Sequence, residues 1–310
     1  MTEILTVERR DAVDYVTLNR PERLNALNQP LTDALLAYFE ARRRDTECRL
    51  IVLAAAGRAF CSGADLKAGG QPDALRDGPN GDWTLRDLLK AMRACPQPIV
   101  TLVQGAAAGG GLAIVLASDI IVAGETAAFH PAFIKIGLSG SELAASWRLQ
   151  RLLGQAVARD MLLTGRPMKA EEALARGLVS RLVPDDQLAA EGEAIAADLL
   201  KAAPDALRIS KRTFDGTLEA TSFETALELE ERGQIQAIRA MRRGWPCPLS
   251  PWDGERARGG AASAQYASSR ALNLHPTSSS GRPQGDPGDP WGGLNISLGP
   301  PDPRCARTGG

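Results

Sequence analysis

Two stretches of small residues, each directly behind an apolar run, hold the chemical interest of this chain. Gly57-Arg58-Ala59-Phe60-Cys61-Ser62-Gly63-Ala64-Asp65-Leu66 follows Leu50–Ala55, and Gln104-Gly105-Ala106-Ala107-Ala108-Gly109-Gly110-Gly111-Leu112 follows Ile99–Val103. Small residues at a strand end let a ligand approach the main chain closely. Three glycines at a helix start leave backbone N–H groups open at the positive end of the helix dipole. Two such groups converging on one oxygen form an oxyanion hole, and each donor lowers a barrier by ~3 kcal/mol. Tight helix–strand packing is the better explanation of a lone Gly-rich loop; a pair of them, each behind a buried strand, shifts the balance toward chemistry. Neither is a phosphate loop, because no glycine directly precedes a lysine, and neither has G-x-G-x-x-G spacing.

Side chains with reactive groups are sparse around these loops. Glu142 closes Gly137-Leu138-Ser139-Gly140-Ser141-Glu142 and leads into a helical pattern. A carboxylate beside an apolar pocket has its pKa raised by desolvation and can shuttle a proton; a glutamate in a first helical turn is also favoured by the dipole alone. His130, Lys135, Ser139, Ser141 and Cys61 are weaker candidates. The serines lack the G-x-S-x-G elbow, and Cys61 reads as a small buried side chain.

The elements that must position these residues follow from periodicity. Ile4–Arg9 and Asp14–Leu18 form a hairpin split by Asp11-Ala12. Pro30 opens a helix over Leu31–Arg44, with Leu31, Leu35 and Phe39 on its core face. Leu50–Ala55, Ile99–Val103 and Asp119–Ala123 are buried strands. Residues 57–82 read as loop, Trp83–Ala94 as helix, and Ala106–Ala117 as small residues turning into helix. Glu142–Gln155, Val157–Leu163, Ala170–Arg176, Asp185–Ala202, Pro204–Thr213 and Ser222–Arg242 are mostly helical. Strands alternate with helices early and helices dominate late, which is an α/β order.

The chain has 310 residues and a formal net charge of −1, which argues against a nucleic-acid binder with a broad basic face. No run approaches the roughly 18 apolar residues of a membrane-spanning helix, and Met1-Thr2-Glu3 opens no secretory signal. Five scattered cysteines without a C-x-x-C pair, and only two histidines, make a metal site unexpected. The odd cysteine count fits free thiols in a reducing cytoplasm. Composition breaks near residue 246. Residues 247–310 hold 11 Gly, 9 Pro and 8 Ser with no lysine or phenylalanine, so a disordered tail is expected there.

In order and spacing, several motifs resemble the crotonase (enoyl-CoA hydratase/isomerase) superfamily. They are Asn19-Arg20-Pro21-Glu22-Arg23-Leu24-Asn25-Ala26-Leu27, Ala59–Leu66, Gln104-Gly105 through Gly111, and Ser118-Asp119-Ile120. Arg151-Leu152-Leu153-Gly154, Leu163-Thr164-Gly165-Arg166, Ala170-Glu171-Glu172-Ala173 and Gly177-Leu178-Val179 follow. The resemblance covers about residues 1–240. It implies a crotonase-like spiral of ββα turns over 1–190 and a helical oligomerisation region over 191–246. It also implies a trimer or dimer of trimers, and an acyl-CoA thioester substrate whose coenzyme A is the only cofactor-like group. The implied oxyanion donors are the N–H groups of Ala64 and Gly110. The implied CoA-contacting residues are Arg23, Ala26, Ala64, Asp65, Leu66, Lys67 and Gly110.

The chain departs from the hydratases of that family at two places. The positions of their paired glutamates fall on Ala113 and Phe133. Hydration needs one group to activate water and another to protonate the α-carbon, and neither carboxylate is present. Glu142 lies near the place of a catalytic aspartate in related dienoyl-CoA isomerases. The expectation is an acyl-CoA enzyme working through an enolate, with isomerisation or another one-base reaction in place of standard hydration. A non-catalytic acyl-CoA binding protein and a CoA-ester hydrolase or decarboxylase are the alternatives.

Overall fold

The structure, a computed structural model, describes residues 3–65 and 84–241. The expectations for Leu66 and Lys67, for Trp83 and for 242–310 lie outside these residues. β1 (Leu5–Arg10) and β2 (Val13–Leu18) form the expected antiparallel hairpin. β3 (Leu50–Ala55), β4 (Ile99–Val103), β6 (Ile120–Gly124) and β9 (Arg181–Val183) then add in parallel, giving a six-stranded sheet in the order β1-β2-β3-β4-β6-β9. A smaller sheet holds β5 (Ala106–Ala108), β7 (Ala128–His130) and β8 (Met168–Lys169). Single bridges, Leu27 to Ala64 and Cys61 to Ala107, extend this second layer. Each turn of the chain therefore lays one segment in the large sheet and the next in the small one. This is the expected α/β spiral.

Alternation along the strands sorts the core into two. Ile51 and Leu53 of β3 face one cluster with Val16, Leu18, Ile99 and Val103, while Leu50 and Val52 face another with Val100, Leu102 and Val122. Successive side chains of a strand point to opposite faces, and a parallel sheet covered on both sides needs apolar residues on each. α1 (Gln29–Arg42), α2 (Thr84–Ala94) and α3 (Gly110–Leu116) cover the first face. In α1, Leu31, Leu35 and Phe39 are fully buried, and the Asn28 side chain caps the helix by accepting the Leu31 N–H at 3.2 Å. α7 (Leu188–Leu200) covers the other face through Leu188, Ile195 and Ala196.

The remaining helices are α4 (Ala145–Leu153), α5 (Gln155–Thr164), α6 (Ala170–Ala175), α8 (Pro204–Leu218) and α9 (Phe223–Met241). Cations hold α8 to the sheet. Arg208 donates to the carbonyls of Asp45, Thr46 and Cys48, and Lys211, 5 % exposed, donates to the Gln97 carbonyl at 2.9 Å and pairs with Asp119 at 2.8 Å.

A buried ion network sits at the hairpin end. Asp14 is fully buried; its carboxylate accepts from Arg9 Nε at 2.6 Å, the Tyr38 hydroxyl at 2.8 Å and Arg42 Nε at 2.5 Å. Arg9 also reaches Asp45 at 2.7 Å. Burial alone raises the Asp14 carboxyl, but the bonds from Arg9, Tyr38 and Arg42 outweigh it and lower its pKa.

Candidate active site

The first Gly/Ala-rich loop is held between two neighbours. On one side, Leu27 N–H donates to the Gly63 carbonyl at 2.7 Å and Asp65 N–H donates to the Leu27 carbonyl at 2.9 Å. On the other, Cys61 N–H donates to Ala106 at 3.0 Å and Ala108 N–H donates to Cys61 at 2.8 Å. Because backbone groups alternate along an extended segment, the Ala64 N–H points away from Leu27. A Cβ built on Gly63 would stand 3.5 Å from the Gly110 nitrogen, so the two loops meet here.

Glycine is required at two of these positions by backbone conformation. Gly63 has φ +87°, and a Cβ would come within 2.8 Å of the Ala108 carbonyl oxygen. Gly109 has φ +49° and ψ −114°, a combination that only glycine adopts at low cost. Its own N–H is taken by the His130 carbonyl at 3.0 Å. The turn at Gly109 then leaves the Gly110 N–H in the first turn of α3, where no intrahelical acceptor exists. Among the described residues, neither the Ala64 N–H nor the Gly110 N–H has a hydrogen-bond acceptor. Leu27 and Leu85 wall Gly110, their methyl carbons 2.8 and 3.0 Å from its would-be Cβ. Two neighbouring open donors against apolar walls are the elements of an oxyanion hole.

The segment before α1 is organised by residues whose role the sequence did not disclose. Leu24 and Asn25 both have positive φ, and Asn25 is fully buried. Its amide nitrogen donates to the carbonyls of Ala56 at 2.8 Å and Ala59 at 2.9 Å, and its oxygen accepts the Arg20 N–H at 2.8 Å. The Arg20 guanidinium donates to the Ala26 carbonyl and pairs with Asp65 at 3.1 Å. Ala26 and Asp65 are thus brought beside Ala64, while Arg23 is exposed on the 3-10 turn Pro21–Arg23. An asparagine tolerates the left-handed region and hydrogen-bonds locally, which was the one available signal for Asn25.

A family model described as enoyl-CoA hydratase/isomerase matches residues 8–244. The chain belongs to the enoyl-CoA hydratase/isomerase family. It is 38 % identical over 238 residues to a Mycobacterium bovis protein named "Probable enoyl-CoA hydratase echA12", covering 75 % of this chain and 84 % of that one. It is 32 % identical over 246 residues to the 1,2-epoxyphenylacetyl-CoA isomerase of Escherichia coli K12, covering 77 % and 92 %. Among solved structures, a monofunctional enoyl-CoA isomerase from M. smegmatis superposes with a TM-score of 0.63 at 35 % identity, covering 73 % of this chain and 99 % of that one.

In this member of the enoyl-CoA hydratase/isomerase family the surroundings of the two open N–H groups are apolar. Ala113 is buried in α3 and its N–H donates to the Gly109 carbonyl at 3.0 Å. The Phe133 ring, on the 3-10 turn Ala132–Ile136, stands 3.7 Å from the would-be Cβ of Gly109. Cys61 is fully buried, and burial pushes its thiol up to about 12, so it carries no thiolate at neutral pH. Burial, with the nearby Lys135 charge, lowers the His130 pKa, which favours a neutral imidazole. Ser141 and Ser146 hydrogen-bond each other at 2.7 Å.

Glu142 differs from expectation in two respects. Its helix, expected from Glu142, begins at Ala145, because Leu143 and Ala144 both take left-handed conformations at φ +50° and +59°. Two successive non-glycine residues there are strained. Its carboxylate is also not enclosed by apolar groups. It is 32 % exposed, and Oε1 accepts from the Leu143 N–H at 3.3 Å and from Arg86 at 3.4 Å. Arg86 follows Leu85, the residue whose methyl carbon stands 3.0 Å from the would-be Cβ of Gly110.

Proposed function

We propose that this chain isomerises the double bond of an enoyl-CoA thioester, using the Ala64 and Gly110 N–H groups as the oxyanion hole and Glu142 as the single proton carrier. The supporting observation is two adjacent open N–H groups in a site where Ala113 and Phe133 replace carboxylates. Removal of the α-proton from a thioester leaves an enolate oxygen, which two preorganised donors stabilise. Isomerisation needs one group that takes the α-proton and returns it to the γ-carbon. Hydration needs two groups, and this site offers one. The likeness to two proteins named as isomerases supports the same reading. The reading takes no cofactor beyond the coenzyme A of the substrate, with Arg23, Ala26, Asp65, Leu66 and Lys67 along its path, and places the reaction in the cytoplasm. No helix of the described residues is long and apolar enough to cross a membrane.

We also propose a homotrimer or dimer of trimers built on the C-terminal helices. Phe214 of α8 and Phe223, Leu227 and Ile235 of α9 expose large apolar side chains, and such surface is ordinarily covered by a partner. Sedimentation would read the mass directly.

The activity test follows the absorbance of the conjugated thioester. A β,γ-enoyl-CoA should gain it and crotonyl-CoA should keep it. A Glu142→Gln variant should lose at least about a hundredfold in kcat, the low end for a general acid–base group. Unchanged turnover in that variant would remove Glu142 from the mechanism. The specific alternative is an acyl-CoA binding protein, favoured by the apolar residues at 113 and 133; heat on calorimetric titration with no absorbance change for any enoyl-CoA would establish it.

A further inference from the structure

The two oxygens of the Glu142 carboxylate are held unequally. Oε1 accepts both the Arg86 guanidinium and the Leu143 N–H. Among the described residues Oε2 has no hydrogen-bond partner. The inequality comes from two directions. The Leu143 N–H belongs to the next residue in the chain and reaches Oε1 at 3.3 Å. Arg86 reaches across from α2, a separate part of the chain, 56 residues away in sequence. Its predecessor Leu85 packs against Gly110. Two consecutive residues in the first turn of α2 therefore touch the oxyanion glycine and the carboxylate.

We infer that Arg86 is a positioning residue that turns Glu142 so that Oε2 meets the substrate, an inference resting on the isomerase reading above. A carboxylate on a free side chain samples several rotamers, and a misplacement of about an ångström costs up to about a hundredfold in rate. Tying Oε1 at two points leaves one oxygen and one direction for proton transfer. In the reaction the lone pair of Oε2 takes the α-proton. The α C–H pair becomes the enolate, whose negative oxygen lies on the Ala64 and Gly110 N–H groups. The enolate then re-forms the carbonyl, the double bond moves into conjugation, and the γ-carbon takes the same proton from Oε2. No oxidant or second base is consumed. Arg86 touches neither the substrate carbonyl nor the moving proton.

The test uses the full chain, a β,γ-enoyl-CoA and four variants: Glu142→Gln, Arg86→Gln, Arg86→Lys and the double variant Arg86→Gln/Glu142→Gln. Arg86→Gln should lower kcat about tenfold, within the range for a misplaced group, with KM unchanged within about twofold. Arg86→Lys should recover most of that loss, since a lysine can still donate to Oε1. In the Glu142→Gln background, Arg86→Gln should add nothing, because the group it positions no longer carries a proton. Thermal melts of all four should match the wild type, Arg86 being about half exposed. A wild-type kcat for Arg86→Gln alongside a slow Glu142→Gln would overturn the positioning role and leave the isomerase reading standing. A raised KM with unchanged kcat would make Arg86 a substrate contact instead. A wild-type rate for Glu142→Gln would overturn the reading itself.

Discussion

The Asp14 network and the candidate site both hold polar groups inside the fold or at its inner wall, and they treat them in opposite ways. Around Asp14 every carboxylate oxygen is matched by a donor, from Arg9, Tyr38 and Arg42. At the site, two backbone N–H groups have no acceptor among the described residues. An unmet donor out of water costs about 1–3 kcal/mol. On the proposed reading, the fold satisfies its polar groups at the hairpin and leaves two at a loop junction for a ligand to complete. The first region holds the sheet edge; the second, as proposed, receives an oxygen that arrives with substrate.

The sharpest way to break this contrast is to remove a partner from each region. Asp14→Ala leaves a cavity and a Tyr38 hydroxyl without its partner, and takes from Arg9 and Arg42 one of their two carboxylates, Asp45 remaining at 2.7 and 3.4 Å. It should lower stability by about 4 kcal/mol, as when one member of a buried pair is deleted, while kcat per folded molecule stays constant. Urea denaturation with active-site titration would read both; a large kcat loss in the folded fraction would blur the division. Gly109→Ala should act on kcat in the folded fraction. There is room for the methyl group, but its backbone conformation must rotate and carry the Gly110 N–H with it. A kcat loss of about a hundredfold, ~2.7 kcal/mol of barrier, is expected. Undiminished turnover would mean that the aim of Gly110 N–H is unimportant.

The smallest effect is a pH dependence at the hairpin. Burial raises the Asp45 carboxyl, but hydrogen bonds from Arg9 and from the Cys48 and Glu47 N–H groups more than compensate and hold it at about 2. Its folded-state pKa is thus below the unfolded value near 4. The stability it supplies is complete above pH ~4 and disappears as the pH falls toward 2. Asp45→Asn should flatten acid unfolding across that window and leave the activity profile near neutrality untouched. Chevron or melt series at stepped pH would show an unchanged slope if the pairing contributes nothing.

The legibility of the chain followed the same divide. Leu50–Ala55 and Ile99–Val103 were readable to the residue, since a doubly covered parallel strand is a bare apolar run. β5 is three alanines and β8 two residues; neither is long enough to show a period, and alanine carries little strand preference. They become strands because β7 and the Cys61 segment lie beside them. The site's main-chain parts were legible through their glycines. Arg20 and Arg86 were not, because an arginine that pins a loop from a distant segment leaves no local pattern. Leu143 and Ala144 adopt a conformation that their side chains disfavour, so propensity pointed to a helix three residues too early.

Ala64 and Gly110 offer main-chain N–H groups, and no codon specifies those atoms. Substitution can erase a catalytic carboxylate, yet it cannot delete an amide that every residue except proline carries. The enolate-holding half of such a site is inherited with the path of the chain. The proton-moving half is free to drift. If Glu142 carries the proton as proposed, a lineage on this scaffold changes its reaction by relocating one acid, without passing through an ancestor that had lost its grip on the thioester.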